Sequence, residues 1–151
     1  MEASFKILET SRNIYLKFLE GYTLEQLNKI PEGFSNNLIW NIGHIVVSQQ
    51  GLIYRLSGLP VNVSDEMHEK YKNGSRPDGK ATQEEVDEIK HLLIALAQQT
   101  KADFEDGKFQ HYTEYQTKTG FHLTNFKDAM EFSNYHEGIH LGMMMNIRKF
   151  L

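Results

Sequence analysis

Two histidines four residues apart, in Tyr135-His136-Glu137-Gly138-Ile139-His140, carry the first chemical signal in the chain. On a helix that spacing stacks both imidazoles on one face, where two nitrogens can reach one metal ion. Both lie in register with Ala129, Met143 and Ile147, so the pattern points them inward, where two adjacent unpartnered imidazoles would be costly. A third candidate is His44, between Trp40 and Val47 in an almost wholly apolar stretch. A lone histidine on an apolar face is ordinarily a hydrogen-bonded core residue. Three such histidines on facing helices instead match the ligand set of a metal site in a bundle core. Three neutral ligands leave open positions for water or substrate, which is the catalytic rather than the structural arrangement.

His136 to His140 is also a literal H-E-x-x-H match, which in zincin peptidases supplies two zinc ligands and a general-base glutamate. The usual third zincin ligand lies downstream, and the 11 residues after His140 contain no His, Asp or Glu. No convincing edge strand is present to hold a peptide. The remaining histidines, His68, His91, His111 and His122, are expected at the surface, with His122 the substitute ligand should one of the three fail. Ser48, one helical turn after His44, has no third group to complete a triad and is read as packing. The run Met143-Met144-Met145 is read as core filling, because a helix spreads three consecutive side chains over three directions.

Four long helices must position these residues. The first, about Ser4 to Glu20, places Phe5, Leu8, Arg12, Tyr15, Leu16 and Leu19 at helical steps. Thr23 and Gln26 form a capping box for a short turn before Pro31. The second helix is expected over Asn36–Ser57, with Ser35 as N-cap and Gly58 as stop, and its apolar residues all round mark it as central. Leu59 to Ala81 is irregular, with a short helical turn near Asp65 to Tyr71. A third helix opens at Thr82, with Glu85 completing a capping box, and ends near Asp106 before Gly107. Phe109 to Leu123 reads as a β-hairpin or extended loop. The fourth helix starts after Thr124, with Phe126, Ala129, Met130, Phe132, Ile139, Met143, Met144, Ile147 and Phe150 as its apolar stripe. The expected fold is an all-α four-helix bundle, up-down with a long crossover loop, forming a single domain over residues 1–151.

Composition narrows the function classes. With 151 residues and a net charge of −4, the chain lacks the basic surface that phosphate binding needs, which argues against a nucleic-acid partner. No apolar run approaches the roughly 20 residues of a membrane span. The absence of a signal-peptide core leads to the expectation of a cytoplasmic protein. There is no cysteine, so thiolate nucleophiles, sulfur-ligated zinc and iron–sulfur clusters are excluded.

The segment Asn37-Leu38-Ile39-Trp40-Asn41-Ile42-Gly43-His44-Ile45, the His136/His140 pair and the long-helix layout resemble the DinB/YfiT-like superfamily of metalloenzymes, most closely its small bacterial DinB-like domain proteins. The resemblance covers essentially the whole chain. It implies a four-helix bundle with a divalent ion, zinc or nickel, on His44, His136 and His140. Some such proteins are thiol-dependent S-transferases or isomerases acting with bacillithiol or mycothiol, and homodimers are common among them. The resemblance therefore implies a low-molecular-weight thiol and an electrophilic small molecule as partners. Two other classes stand beside it: metal-activated hydrolysis of an amide or ester, including the zincin reading, and a non-enzymatic bundle whose histidines only hold or store metal.

Overall fold

The structure, a computed structural model, describes residues Met1–Leu151. Six helices follow one another as α1 (Glu2–Gly21), α2 (Leu24–Asn28), α3 (Leu38–Gln49), α4 (Asp65–Tyr71), α5 (Gln83–Glu105) and α6 (Phe126–Ile147). Between α5 and α6 a small antiparallel hairpin pairs β1 (Tyr115–Gln116) with β2 (His122–Leu123), in the register Tyr115 to Leu123 and Gln116 to His122. The four long helices form the bundle. α1 packs between α5 and α6, and α3 packs between the same two from the other side. No helix is long and apolar enough to cross a membrane.

Local chemistry sets the helix ends. At α2 both halves of the capping box form, Thr23 Oγ1 accepting from Gln26 N and Gln26 Oε1 accepting from Thr23 N. At α5 only the forward half forms, Thr82 Oγ1 accepting from Glu85 N. The expected cap of the second helix is corrected. Asn37, not Ser35, is the N-cap of α3, accepting from Trp40 N at 2.9 Å, and α3 begins two residues later than expected. That helix also does not run unbroken to Ser57. After Gln49 it widens into a π-helical turn over Gln50–Tyr54 and tightens into a 3₁₀ turn over Arg55–Ser57 before Gly58 stops it at φ +72°. Single π turns recur beside functional sites, and this one adjoins the cavity described below.

The buried side chains fall into two apolar cores. The larger gathers Tyr15, Phe18 and Leu19 of α1 with the apolar residues of α3 from Leu38 to Val47 and with Ile89, Leu93, Met144 and Ile147. The smaller gathers Phe5, Leu8, Ile53, Tyr54, Ala97, Phe126, Ala129 and Met130. Along α1, α3 with its extension, and α6, buried polar residues stand between the two sets: Arg12, then Gln49 and Gln50, then Ser133, Glu137 and His140. The apolar stripe expected for α6 is accordingly only partly right. Ile139 and Phe150 are exposed, and Ser133 and Glu137 take buried positions instead.

Gly43 has a specific task. The ring of Tyr71, from α4, lies against its Cα, and a Cβ built there would meet the ring at 2.5 Å. This close approach seats α4 on α3. Gly43→Ala is expected to cost about 1–3 kcal/mol, since a ring carbon rather than a flexible chain end must yield. Urea unfolding checks this, and an unchanged midpoint would show that α4 shifts freely.

Candidate metal centre

Two helices bring the three histidines together. α3 contributes His44, and α6 contributes His136 and His140 one turn apart. Their ligand nitrogens all lie within 4.8 Å of one another. His140 Nε2 and His136 Nε2 are 3.2 Å apart, facing a common point. His44 and His140 are buried and His136 is half-buried.

The outward nitrogens of His44 and His140 are held by protein groups that fix their tautomers. His44 Nδ1–H donates to the Tyr71 carbonyl at 2.7 Å. His140 Nδ1–H donates to Asn41 Oδ1, also at 2.7 Å. The amide of Asn41 is oriented in turn, because its Nδ2 donates to Asn37 O and Asn36 Oδ1 and leaves Oδ1 free to accept. Each of these histidines therefore presents an unprotonated Nε2 inward, the arrangement in which metal-ligating imidazoles are normally held. Trp40 stacks on His44 with ring centroids 4.8 Å apart and planes within 7°, and its Nε1–H donates to Ser75 Oγ. Phe132 stacks on His136 at 6.1 Å.

Burial keeps these imidazoles neutral. Desolvation, with the neighbouring histidines' charge second, holds His136 down at about 4 and His140 at about 3. His44 is lowered by burial, with its bond to the Tyr71 carbonyl opposing. The sequence alone would place proton competition near the ordinary histidine value of about 6.5. The folded site meets that competition only at markedly lower pH.

Glu137 is the residue whose role the sequence leaves open, and the structure decides it. Its carboxylate accepts from Arg12 Nη2 at 2.6 Å and Arg12 Nε at 3.1 Å, with both side chains almost wholly buried. Burial pushes its carboxyl above the ordinary glutamate range, and the Arg12 guanidinium pulls against that. Tyr15 Oη donates to the Glu137 carbonyl at 2.6 Å. Glu137 thus faces α1, away from the cavity, and is not placed to act on a water at the histidines. The H-E-x-x-H spacing serves the two histidines alone.

The cluster opens into a cavity of about 620 Å³, within the usual range for small-molecule sites. His44 and His136 line its inner end. Ser48, the one position of α3 that is not buried, lines it too, with Oγ 3.2 Å from His44 Nε2. Ser48 is thus part of the site, where the sequence suggested packing. His122 does not join the cluster. It is exposed on the hairpin and paired with Glu114 at 3.1 Å, so the expected substitute ligand is corrected. His91 and His111 are at the surface, as expected, whereas His68 is half-buried and lines the cavity. Sequence reasoning also missed Asn41 and Arg12. Each had a signal, a polar residue at an apolar position of a buried helix face.

A profile of the DinB superfamily matches residues 7–144, nearly the whole chain. The chain belongs to the DinB superfamily. No curated protein matches it significantly. The match takes in most of all four long helices and the three-histidine group, and this DinB-superfamily fold is compatible with a bound divalent ion. The donor set fits such an ion: three neutral imidazoles converge, two have their outer N–H engaged, and Ser48 Oγ occupies the hydrogen-bonding direction of His44 Nε2 that a ligand bond would take.

Replacing His44, His136 or His140 by Ala is expected to remove most of any bound divalent metal, while His91→Ala and His122→Ala leave it in place. Elemental analysis of protein purified without a His-tag checks this, and full occupancy in His44→Ala would remove that residue from the site. The metal-free fold should also lose stability on acidification. Below about pH 6.5 the unfolded chain protonates His136 and His140, and the folded chain does not until about 4 or below. Stability is thus highest above pH 6.5 and falls through the window beneath it, by up to about 1.4 kcal/mol per pH unit per histidine. Urea midpoints at several pH values test the sign, and His140→Ala should flatten the slope.

Proposed function

We propose that the chain is a divalent-metal enzyme of the thiol S-transferase type, joining a low-molecular-weight thiol to an electrophilic small molecule. The observation that carries this reading is a neutral three-imidazole cluster at the inner end of an open cavity, in a chain without any cysteine. A divalent ion held there, zinc or nickel, supplies the positive charge that lowers the pKa of a thiol and favours thiolate at neutral pH. The nucleophilic sulfur must then come from a cosubstrate, since no side chain offers one.

The chain's own residues supply the rest. His44, His136 and His140 hold the ion, and Tyr71 O and Asn41 Oδ1 hold two of those rings in orientation. Trp40 and Phe132 form apolar walls against His44 and His136. Such walls exclude water and strengthen the charge interactions inside. Ser48 Oγ, beside His44 Nε2, is placed to hydrogen-bond a group arriving at the open side. Activity in the cytoplasm and as a homodimer belongs to the same proposal. The peptidase alternative is disfavoured by the burial of Glu137 against Arg12.

The test is the rate of thiol addition to a chlorinated aromatic acceptor, with peptide hydrolysis in parallel. His136→Ala should abolish turnover along with the ion. Glu137→Gln should lose about 3 kcal/mol of stability, because it leaves a buried guanidinium without its counter-charge. Its turnover per folded molecule should fall about tenfold or less, as for a residue that only positions the ligand helix. Peptide cleavage that collapses in Glu137→Gln, with no thiol activity in the wild type, would overturn the proposal.

A further inference from the structure

The cavity beside the histidines is lined against the charge of the chain as a whole. The protein has 20 acidic and 16 basic residues, yet no carboxylate lines this cavity, whereas Arg55, Lys72 and Lys118 do. Lys72 is engaged by Glu69 on α4. Arg55 and Lys118 have no carboxylate partner and no hydrogen-bond acceptor within the protein. They reach the cavity from two different elements. Arg55 sits where the π turn of the α3 extension passes into its 3₁₀ turn, and Lys118 lies in the tight turn of the hairpin. Thr117 and Thr119 flank Lys118 and also line the cavity, adding hydroxyl groups able to donate.

Two unpaired cations with hydroxyl donors, and no acid among them, make an environment that favours an oxyanion over a neutral or cationic group. The apolar part of the lining includes Val47, Leu52, Leu56 and Phe132. A ligand of one anionic end and a short apolar body therefore suits this lining.

We propose that this cavity binds small molecules carrying a carboxylate or phosphate group, which Arg55 and Lys118 hold while the other end of the molecule reaches the three histidines. The inference rests on the metal-centre reading above and adds to it the class of ligand. Arg55 and Lys118 are binding residues in this account.

The probe is cobalt(II)-loaded protein, whose visible absorption reports a thiolate joining the ion. It is titrated with 2-mercaptoethanol, 3-mercaptopropionate, 2-mercaptoethyl phosphate and cysteamine. The wild type should bind one or both anionic thiols about tenfold tighter than 2-mercaptoethanol, and cysteamine more weakly. Which anion leads separates a carboxylate from a phosphate ligand. In the double variant Arg55→Gln/Lys118→Gln the ratio of anionic to neutral affinity should fall to about one, and in the wild type it should shrink as ionic strength rises. A ratio near one in the wild type, or an unchanged ratio in the double variant, would overturn the proposal.

If the chain takes up no cobalt, the metal reading falls, and the anion site is decided on metal-free protein. Glutarate titrated against the NMR signals of Arg55 Nε–H and the Lys118 amide then gives the answer. A saturable shift that disappears in the double variant supports the site, and no shift overturns it.

Discussion

The rotation of one helix about its own axis governs the whole site, and a single buried ion pair sets it. Consecutive residues on a helix point about 100° apart, so His136 and Glu137 must face different neighbours. Arg12 of α1 grips the Glu137 carboxylate with two nitrogens, and Tyr15 holds the same residue's carbonyl. With Glu137 turned toward α1, His136 and His140 turn toward α3 and meet His44. Pairs of this kind add little net stability over apolar residues of similar size, but losing one partner leaves an uncompensated charge and is strongly destabilising. The value of this pair is therefore specific orientation: it makes any other rotation of α6 costly.

The second requirement is that imidazoles inside a bundle stay neutral and correctly tautomeric. Burial meets the first condition, and groups bonded to the far ring nitrogens of His44 and His140 meet the second. The Tyr71 carbonyl comes from α4, a seven-residue helix in the irregular connection between two bundle helices. That connection is long because it must return a backbone carbonyl to the middle of α3. Gly43 permits the approach by offering no Cβ, one residue before the histidine that benefits. Asn41 works differently, as a side-chain relay from the Asn36–Asn37 cap to His140. The N-cap region of α3 thus both starts the helix and orients the His140 imidazole on α6.

Much of this was legible in the residue pattern. The four long helices and the α4 turn follow from apolar period, caps and glycines, and the three histidines follow from spacing and apolar surroundings, whereas the segment before α6 leaves a hairpin and an extended loop equally open. What was not legible depended on packing across the bundle. Arg12 stood in plain view inside an apolar stripe, but its partner lies 125 residues away and no local rule names it. The motif around Glu137 leaves two readings, because the same four-residue spacing suits a zinc-bound peptidase and a carboxylate buried against α1 alike. Ser48 reads as packing in the sequence because no third group completes a triad with His44, and only the cavity distinguishes it. The change from α to π geometry at Gln50 was equally hidden. It coincides with tertiary bonds, Gln49 to Thr100 and Gln50 to the Asn62 backbone, that a sequence window does not contain.

The chain has one tryptophan, and it lies flat against His44. An indole in that position reads out the electronic state of its neighbour, since an imidazole that gains a proton or a metal ion becomes a nearby cation and an altered quencher. Because no second indole contributes background, the protein's intrinsic emission is an optical gauge of this one ring. Its hydrogen bond to Ser75 ties that gauge also to the loop after α4, so movement of the loop and events at the ligand share a single fluorescent signal.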